Sequence, residues 1–300
     1  MKVFRLHIRP KGGDADPKVS FDYCLKHHLL GMGWGISAKS SSSVDWETYL
    51  RAAKRIHGRT NLSRVIFFKE KVKQGDLIWT RDSEGNYFVA RVKGRWRYLQ
   101  TKESVRADIL NVVSCKLVPV KHVDDVPGKI IACFRPTRTI QRIRDESAVL
   151  YSQLLWNKLT RSKRYRLEGN DHSNSLYSFL NAEQCEDIVF IYLQTKGWIV
   201  VPNSRRADTM RYKYILINNN TLQRAVVQVK TGKTLLRVAD WKGIADKVYL
   251  FQSEGRYEGV KTEGIILLSP KKLESFMLAN QSLLPSSIGR WVDFYKSRKH

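Results

Sequence analysis

Asp208 and, twenty positions later, the run Gln228-Val229-Lys230 supply an acid, an amide and an amine. Side chains alternate faces along a strand, so Gln228 and Lys230 project to one side. Asp208, just ahead of the neighbouring apolar segment, can meet them at the mouth of the next strand, and Glu186 upstream can reach the same edge. Phosphodiester hydrolysis near neutral pH needs such a set: hard oxygen ligands for a divalent ion, and a fixed cation beside the attacking water or the scissile phosphate. Asp208, Glu186, the Gln228 amide oxygen and the Val229 carbonyl are the candidate ligands for Mg²⁺ or Mn²⁺, and Lys230 is the cation. Each residue also has an ordinary reading: Asp208 opens a turn, Gln228 satisfies buried backbone groups, and Lys230 is a strand end that keeps its ammonium in water.

The elements around these residues follow from their spacing. Residues 182–196 carry a broad apolar helical stripe stopped by Gly197, and strands are expected at 198–201, 212–217, 225–230, 247–251 and 264–268. A short helix is expected over 235–244, and a further one over 270–279 with Pro270 in its first turn. The order α-β-β-β-α-β-β-α describes a compact α/β sandwich.

The segments Glu186-Asp187-Ile188-Val189, Lys196-Gly197-Trp198, Asp208 and Val227-Gln228-Val229-Lys230-Thr231-Gly232 together resemble the PD-(D/E)XK nuclease fold. The nearest branch in appearance is the Mrr-like group of restriction endonucleases, in which Gln replaces the acid of the final motif. The resemblance spans residues 182–280. It implies that Asp208 and Gln228 ligate the metal, that Lys230 orients or activates the water, and that Glu186 completes the site. Ala207 stands where the family's motif has Pro, and the neutral Gln228 leaves the site one negative charge short. Glu183, one turn before Glu186, is a competing helix acid.

Residues 1–145 are dominated by short β-type segments: 3–8, 65–68, 76–81, 87–93, 96–99, 112–120 and 129–134, with one helix over 46–56. Helical spacing follows over 139–159, then a basic, polar stretch. Aromatic residues are frequent. Gly31-Met32-Gly33-Trp34-Gly35 packs three glycines round an indole, and Trp79, Tyr87, Phe88, Trp96 and Tyr98 lie on or beside the central hairpin. A pocket for a flipped base needs stacking faces and a few polar groups, which Trp34, Trp79, Asp82 and Tyr98 offer. The alternative is that these aromatics are core or cross-strand pairs. Phe21-Asp22-Tyr23-Cys24, the Gly-Trp loop and Gln74-Gly75-Asp76-Leu77-Ile78-Trp79 are similar to PUA-like domains of the EVE type, some of which read modified bases.

The expected architecture therefore has two domains of α+β and α/β class. A PUA/EVE-like curled β-sheet domain (1–145) is joined by a helical, basic linker (146–180) to a restriction-endonuclease-like α/β sandwich (181–300). Charge agrees with a polyanionic partner. The chain has 53 Lys and Arg against 28 Asp and Glu, a net +25, and both parts are basic, which favours a long surface laid on nucleic acid over a short tail. The four cysteines lack metal-ligand spacing, and no apolar run approaches a membrane span, so a cytoplasmic, reduced protein with no membrane partner is expected. The family likenesses imply a metal-dependent, modification-dependent DNA endonuclease of restriction or phage-defence type, with two copies needed to cut both strands. The competing expectations are a non-catalytic nucleic-acid binder on a degenerate nuclease scaffold, favoured by Gln228, and an RNA-acting PUA-like protein.

Overall fold

The structure is a computed structural model and describes residues 1–10, 16–36, 44–58, 61–136, 138–167, 175–202, 204 and 211–299. The chain divides into two compact units, Met1–Leu167 and Glu168–His300.

The first unit runs β1 (Val3–Leu6), α1 (Pro17–Lys26), β2 (Leu29–Met32), α2 (Trp46–His57), α3 (Ser63–Lys71), β3 (Leu77–Arg81), β4 (Tyr87–Tyr98), α4 (Lys102–Arg106), β5 (Asn111–Pro119), α5 (Gly128–Ala132), β6 (Ile140–Ile143) and α6 (Glu146–Leu159). Its sheet has the order β2-β5-β4-β3-β1-β6, with β1 and β3 parallel and the other neighbours antiparallel. All four residues of β1 are buried, Arg5 included, so its period of two does not separate a wet face from a dry one. The two expected segments 87–93 and 96–99 form one strand, β4. Between Val92 and Trp96 it advances four residues while β5 advances two, from Cys115 to Val113. Such an irregularity bends a strand and re-aims the side chains beyond it, here Trp96 and Tyr98.

Two short apolar runs expected as strands are helical. Residues 65–68 lie in α3, where Val65 and Phe68 share a fully buried face with Leu62 one turn earlier; residues 129–134 overlap α5. Conversely, Ile140 and Ile143 belong to β6, paired with β1, and the helix expected from 139 begins only at Glu146, after the Asp145 carboxylate accepts the Ala148 amide. Runs of four apolar residues do not distinguish a period of 3.6 from one of 2. α6 also packs within the first unit, burying Tyr151, Ser152, Leu155 and Trp156, so this part of the expected 146–180 linker is core.

The second unit runs α7 (Ala182–Gln194), β7 (Trp198–Val200), β8 (Tyr214–Asn218), β9 (Arg224–Lys230), β10 (Leu236–Arg237), β11 (Lys247–Gln252), β12 (Tyr257–Glu258), β13 (Ile265–Leu268), α8 (Pro270–Ala279) and α9 (Ser286–Lys299). A five-stranded sheet has the order β13-β11-β9-β8-β7. Its strands lie side by side in chain order; β8 is antiparallel to both neighbours, and β9, β11 and β13 are parallel. The helix expected over 235–244 is instead β10, paired with β12, and a 3₁₀ turn at Val238–Trp241. α7 opens with a capping box in which Asn181 and Gln184 exchange side-chain and backbone bonds. Phe190 of α7 meets the Tyr214 ring, which fixes the sheet face that α7 covers. On the other face Val226, Val248, Leu250 and Ile265 form a core with Val238 and Trp241.

Cys24, Cys115 and Cys185 are buried free thiols; burial pushes the last two up to about 12. Among the described residues no helix is long and apolar enough to cross a membrane.

Candidate functional site

The carboxyl end of β9 carries Gln228 and Lys230. Tyr214, on the face covered by α7, pairs with Val227, so alternation turns Gln228 and Lys230 to the opposite face, that of Val226 and Trp241. Gln228 is 6% exposed, and both ends of its amide are engaged: Nε2 donates to the Arg211 carbonyl at 2.6 Å and Oε1 accepts the Val229 amide at 3.0 Å. Lys230 is half-buried and opposes Gln252 of β11, itself fully buried with its amide bonded to Gly232 O and to the Glu254 and Arg256 amides. The Arg211 guanidinium lies over the Trp241 ring, 5.2 Å from its centroid.

Glu186 comes from the layer on the other side. Its Oε1 is 2.9 Å from Lys213 Nζ, with the Glu186 side chain 19% and the Lys213 side chain 37% exposed. Lys213 immediately precedes β8, and its amide donates to Val227 O, the residue that Tyr214 already opposes, so the ladder is irregular there. The structure thus brings Gln228 and Lys230 to one face and ties Glu186 to the neighbouring strand through an amine. Glu183 is exposed. Asp208 lies outside the described residues.

In the first unit the four candidate base-contacting residues separate. Trp79 is wholly buried in the middle of the sheet, and its Nε1 donates to Ser152 Oγ of α6 at 2.8 Å, so no ring face is open to a base; its place is the core. Asp82 anchors the β3–β4 turn, where its carboxylate accepts the amides of Glu84 and Asn86 and the Asn86 side chain. Those bonds account for it as a turn former, though it also lines a cavity of about 510 Å³ with His7, Arg9 and Arg81.

Trp34 and Tyr98 do line cavities. Trp34, at φ +60, lines one of about 460 Å³ with His7, Arg9, His57 and Asp108. A side chain at Gly33 would place its Cβ 2.5 Å from the Asp108 carboxylate, which would have to move aside. Burial, with Arg81, Arg5 and Arg9 nearby, pushes His7 down to about 4, leaving a neutral imidazole at pH 7. Tyr98 borders a larger cleft of about 960 Å³, and its hydroxyl accepts the Ile36 amide at 2.8 Å.

The two cavities share a buried support. Asn111 accepts the Trp96 indole N–H at 3.2 Å and donates to the Gly33 carbonyl and to Tyr49 Oη, while Tyr49 Oη donates to the Trp34 carbonyl at 2.9 Å.

No family model and no curated protein matches this sequence. Among solved structures the chain is similar to the DNA modification-dependent restriction endonuclease AspBHI. The alignment has a TM-score of 0.23 and 8% identity, and covers 90% of this chain and 79% of that one. A likeness at that level carries no argument about chemistry, which has to come from the side chains.

Those side chains test the expected metal through their donor set. Among the described residues no group of three or more His, Cys, Asp or Glu gathers at one point, Glu186 is paired with Lys213, and the Gln228 oxygen already receives a backbone amide. The described donors alone do not form a Mg²⁺ cage. Lys213, Arg211 and Gln252 were missed in the sequence.

Proposed function

We propose that the chain is a DNA endonuclease in which the second unit hydrolyses the phosphodiester at the carboxyl end of β9 and the first unit reads a modified base. The observation that carries this reading is that Gln228 and Lys230 share one sheet face at the end of a strand parallel to its neighbour β11. The carboxyl ends of parallel strands are where open α/β sheets take their ligands. Arg211 and Lys213 add cations at the same end, and the +25 net charge supports a polyanionic substrate.

In this reading the Lys230 ammonium lies against the scissile phosphate and offsets its developing charge. Asp208 and the Gln228 amide oxygen, with Glu186 once it is released from Lys213, would hold Mg²⁺ or Mn²⁺. When bound, that ion supplies a Lewis acid and a water of lowered pKa. In the first unit the Trp34 cavity offers an indole beside a neutral His7, suited to a base drawn out of its stack. A chain with one such site cuts one strand, so a double-strand cut takes two copies.

The test is cleavage of DNA panels carrying different base modifications, with Mg²⁺ or Mn²⁺. Cutting of at least one modified DNA is expected, with Asp208→Ala and Lys230→Ala slower by about 100-fold or more while still binding DNA. Equal cleavage by wild type and both variants would overturn the assignment.

A second reading, a non-catalytic nucleic-acid binder, is favoured by the two engaged ends of the Gln228 amide and the neutralised Glu186. It predicts salt-dependent binding without cutting under any metal.

A further inference from the structure

We infer that the cleft of about 960 Å³ on the first unit is a stacking site for unpaired nucleotides of a DNA strand, separate from the Trp34 cavity. The inference rests on the proposal that the chain acts on DNA, and on nothing in the second unit.

The cleft lies between the start of α2, the end of α3 and the part of β4 beyond its irregularity. Its aromatic wall is Trp46, Trp96 and Tyr98. The first two indoles meet edge to face, with centroids 5.0 Å apart and planes at 87°, and both are half-buried. Trp96 is fixed by its bond to Asn111, and the buried Tyr49 ring backs the cluster, 5.5 Å from Trp96 and 5.0 Å from Tyr98. Half-exposed indoles held in place by neighbours are ready stacking faces. A fully buried ring such as Trp79 is not.

The rim is cationic. Lys73, Arg95 and Arg97 border the cleft and are exposed, and Lys69 Nζ sits 4.8 Å from the Trp46 ring centroid. Arg97 donates to Ser114 Oγ; Lys73 and Arg95 make no side-chain ion pair among the described residues. The one acid among the described lining residues, Asp45, is engaged as the N-cap of α2, accepting the Glu47 and Thr48 amides and the Thr48 hydroxyl. By strand alternation Arg97 points to the Ser114 face, away from Trp96 and Tyr98; the remaining cations, Lys69, Lys73 and Arg95, beside one committed carboxylate and an aromatic wall favour a ligand with alternating flat rings and negative charge.

Single-stranded nucleic acid has that alternation; a duplex, whose bases are stacked on each other, presents only its phosphates. The volume is near the upper limit for small-ligand sites, about 300–1,000 Å³, leaving room for more than one base.

The experiment measures binding of an unmodified oligothymidylate and of a blunt duplex of equal length, without metal, by tryptophan fluorescence and anisotropy. The single strand should quench tryptophan emission. Trp96→Ala should weaken single-strand binding by about tenfold or more while changing duplex binding little. Trp46→Ala, a half-exposed residue at a helix start, gives the same readout should loss of Trp96 disturb the fold. Lys73→Gln should lower the salt slope of single-strand binding by about 0.7 where the cation meets a phosphate.

Unchanged single-strand affinity in both folded tryptophan variants, or equal loss for duplex, would overturn the inference, as would a Trp96-dependent preference for RNA of the same sequence. Because the oligonucleotide is unmodified and nothing is cut, these results stand apart from success or failure of the cleavage test.

Discussion

Lys213 Nζ lies 2.9 Å from Glu186 Oε1, so the helix acid that a metal would need is already held by an amine from the start of β8. The two charges are partly exposed, and such pairs contribute about 0–1 kcal/mol. A divalent ion taking Glu186 as a ligand must displace this ammonium. Lys213→Ala should therefore raise Mn²⁺ affinity, up to about fivefold, as read by titration calorimetry or the Mn²⁺ spin signal. Unchanged affinity would remove Glu186 from the ligand set.

Gln228 is a donor as well as an acceptor, and its structural partner requires the donor. The Arg211 carbonyl accepts Gln228 Nε2 at 2.6 Å inside the sheet. Gln228→Glu would face a carboxylate with a carbonyl and leave the latter unsatisfied, at a cost of about 1–3 kcal/mol in urea unfolding. If residue 228 faces the ion, saturating Mn²⁺ should recover part of that loss, because binding to the native state adds stability. A loss identical with and without Mn²⁺ would exclude position 228 as a ligand.

Trp79 tests the boundary between core and reader. Trp79→Phe keeps most of the apolar volume and deletes the bond to Ser152 Oγ, which also donates to Ala148 O. Stability should fall by about 1–2 kcal/mol while DNA affinity stays unchanged. Weaker binding at unchanged stability would return Trp79 to the list of base contacts.

His7 predicts a pH dependence. Its folded-state value, about 4, lies below the unfolded value of about 6.5, so between the two the unfolded chain binds more protons. Its contribution is fully present above about pH 6.5 and is lost as pH falls through about 4. Melting curves at pH 7 and pH 5 should show a larger drop for the wild type than for His7→Gln. Equal drops would show that His7 does not titrate with folding.

Much of the second unit was legible in the sequence because its signals are long or sharply bounded. The α7 stripe ends at Gly197, which takes φ +81, and α8 begins at Pro270 after Ser269, whose side chain caps the Lys272 amide. Its parallel strands are apolar runs flanked by turns. The first unit was harder. Val65–Phe68 is apolar throughout and Ile140–Ile143 only at its two ends, three positions apart, yet the first is helix and the second strand, because the decision comes from the faces they meet rather than from their own spacing. At the candidate site the shared face of Gln228 and Lys230 followed from alternation, and the role of Gln228 in satisfying backbone was visible as an alternative. That Glu186 belongs to the layer covering the opposite face was hidden, because it depends on which side of the sheet α7 packs.

Asn111 sits where a single amide restrains the rings of one hollow and the loop of another. With Trp96, Gly33 and Tyr49 all tethered to it, neither wall has much rotational freedom to surrender when a guest arrives. Selectivity among guests of similar charge should then show in their residence times, since capture is governed by the surrounding field and departure by the fit against an unyielding surface.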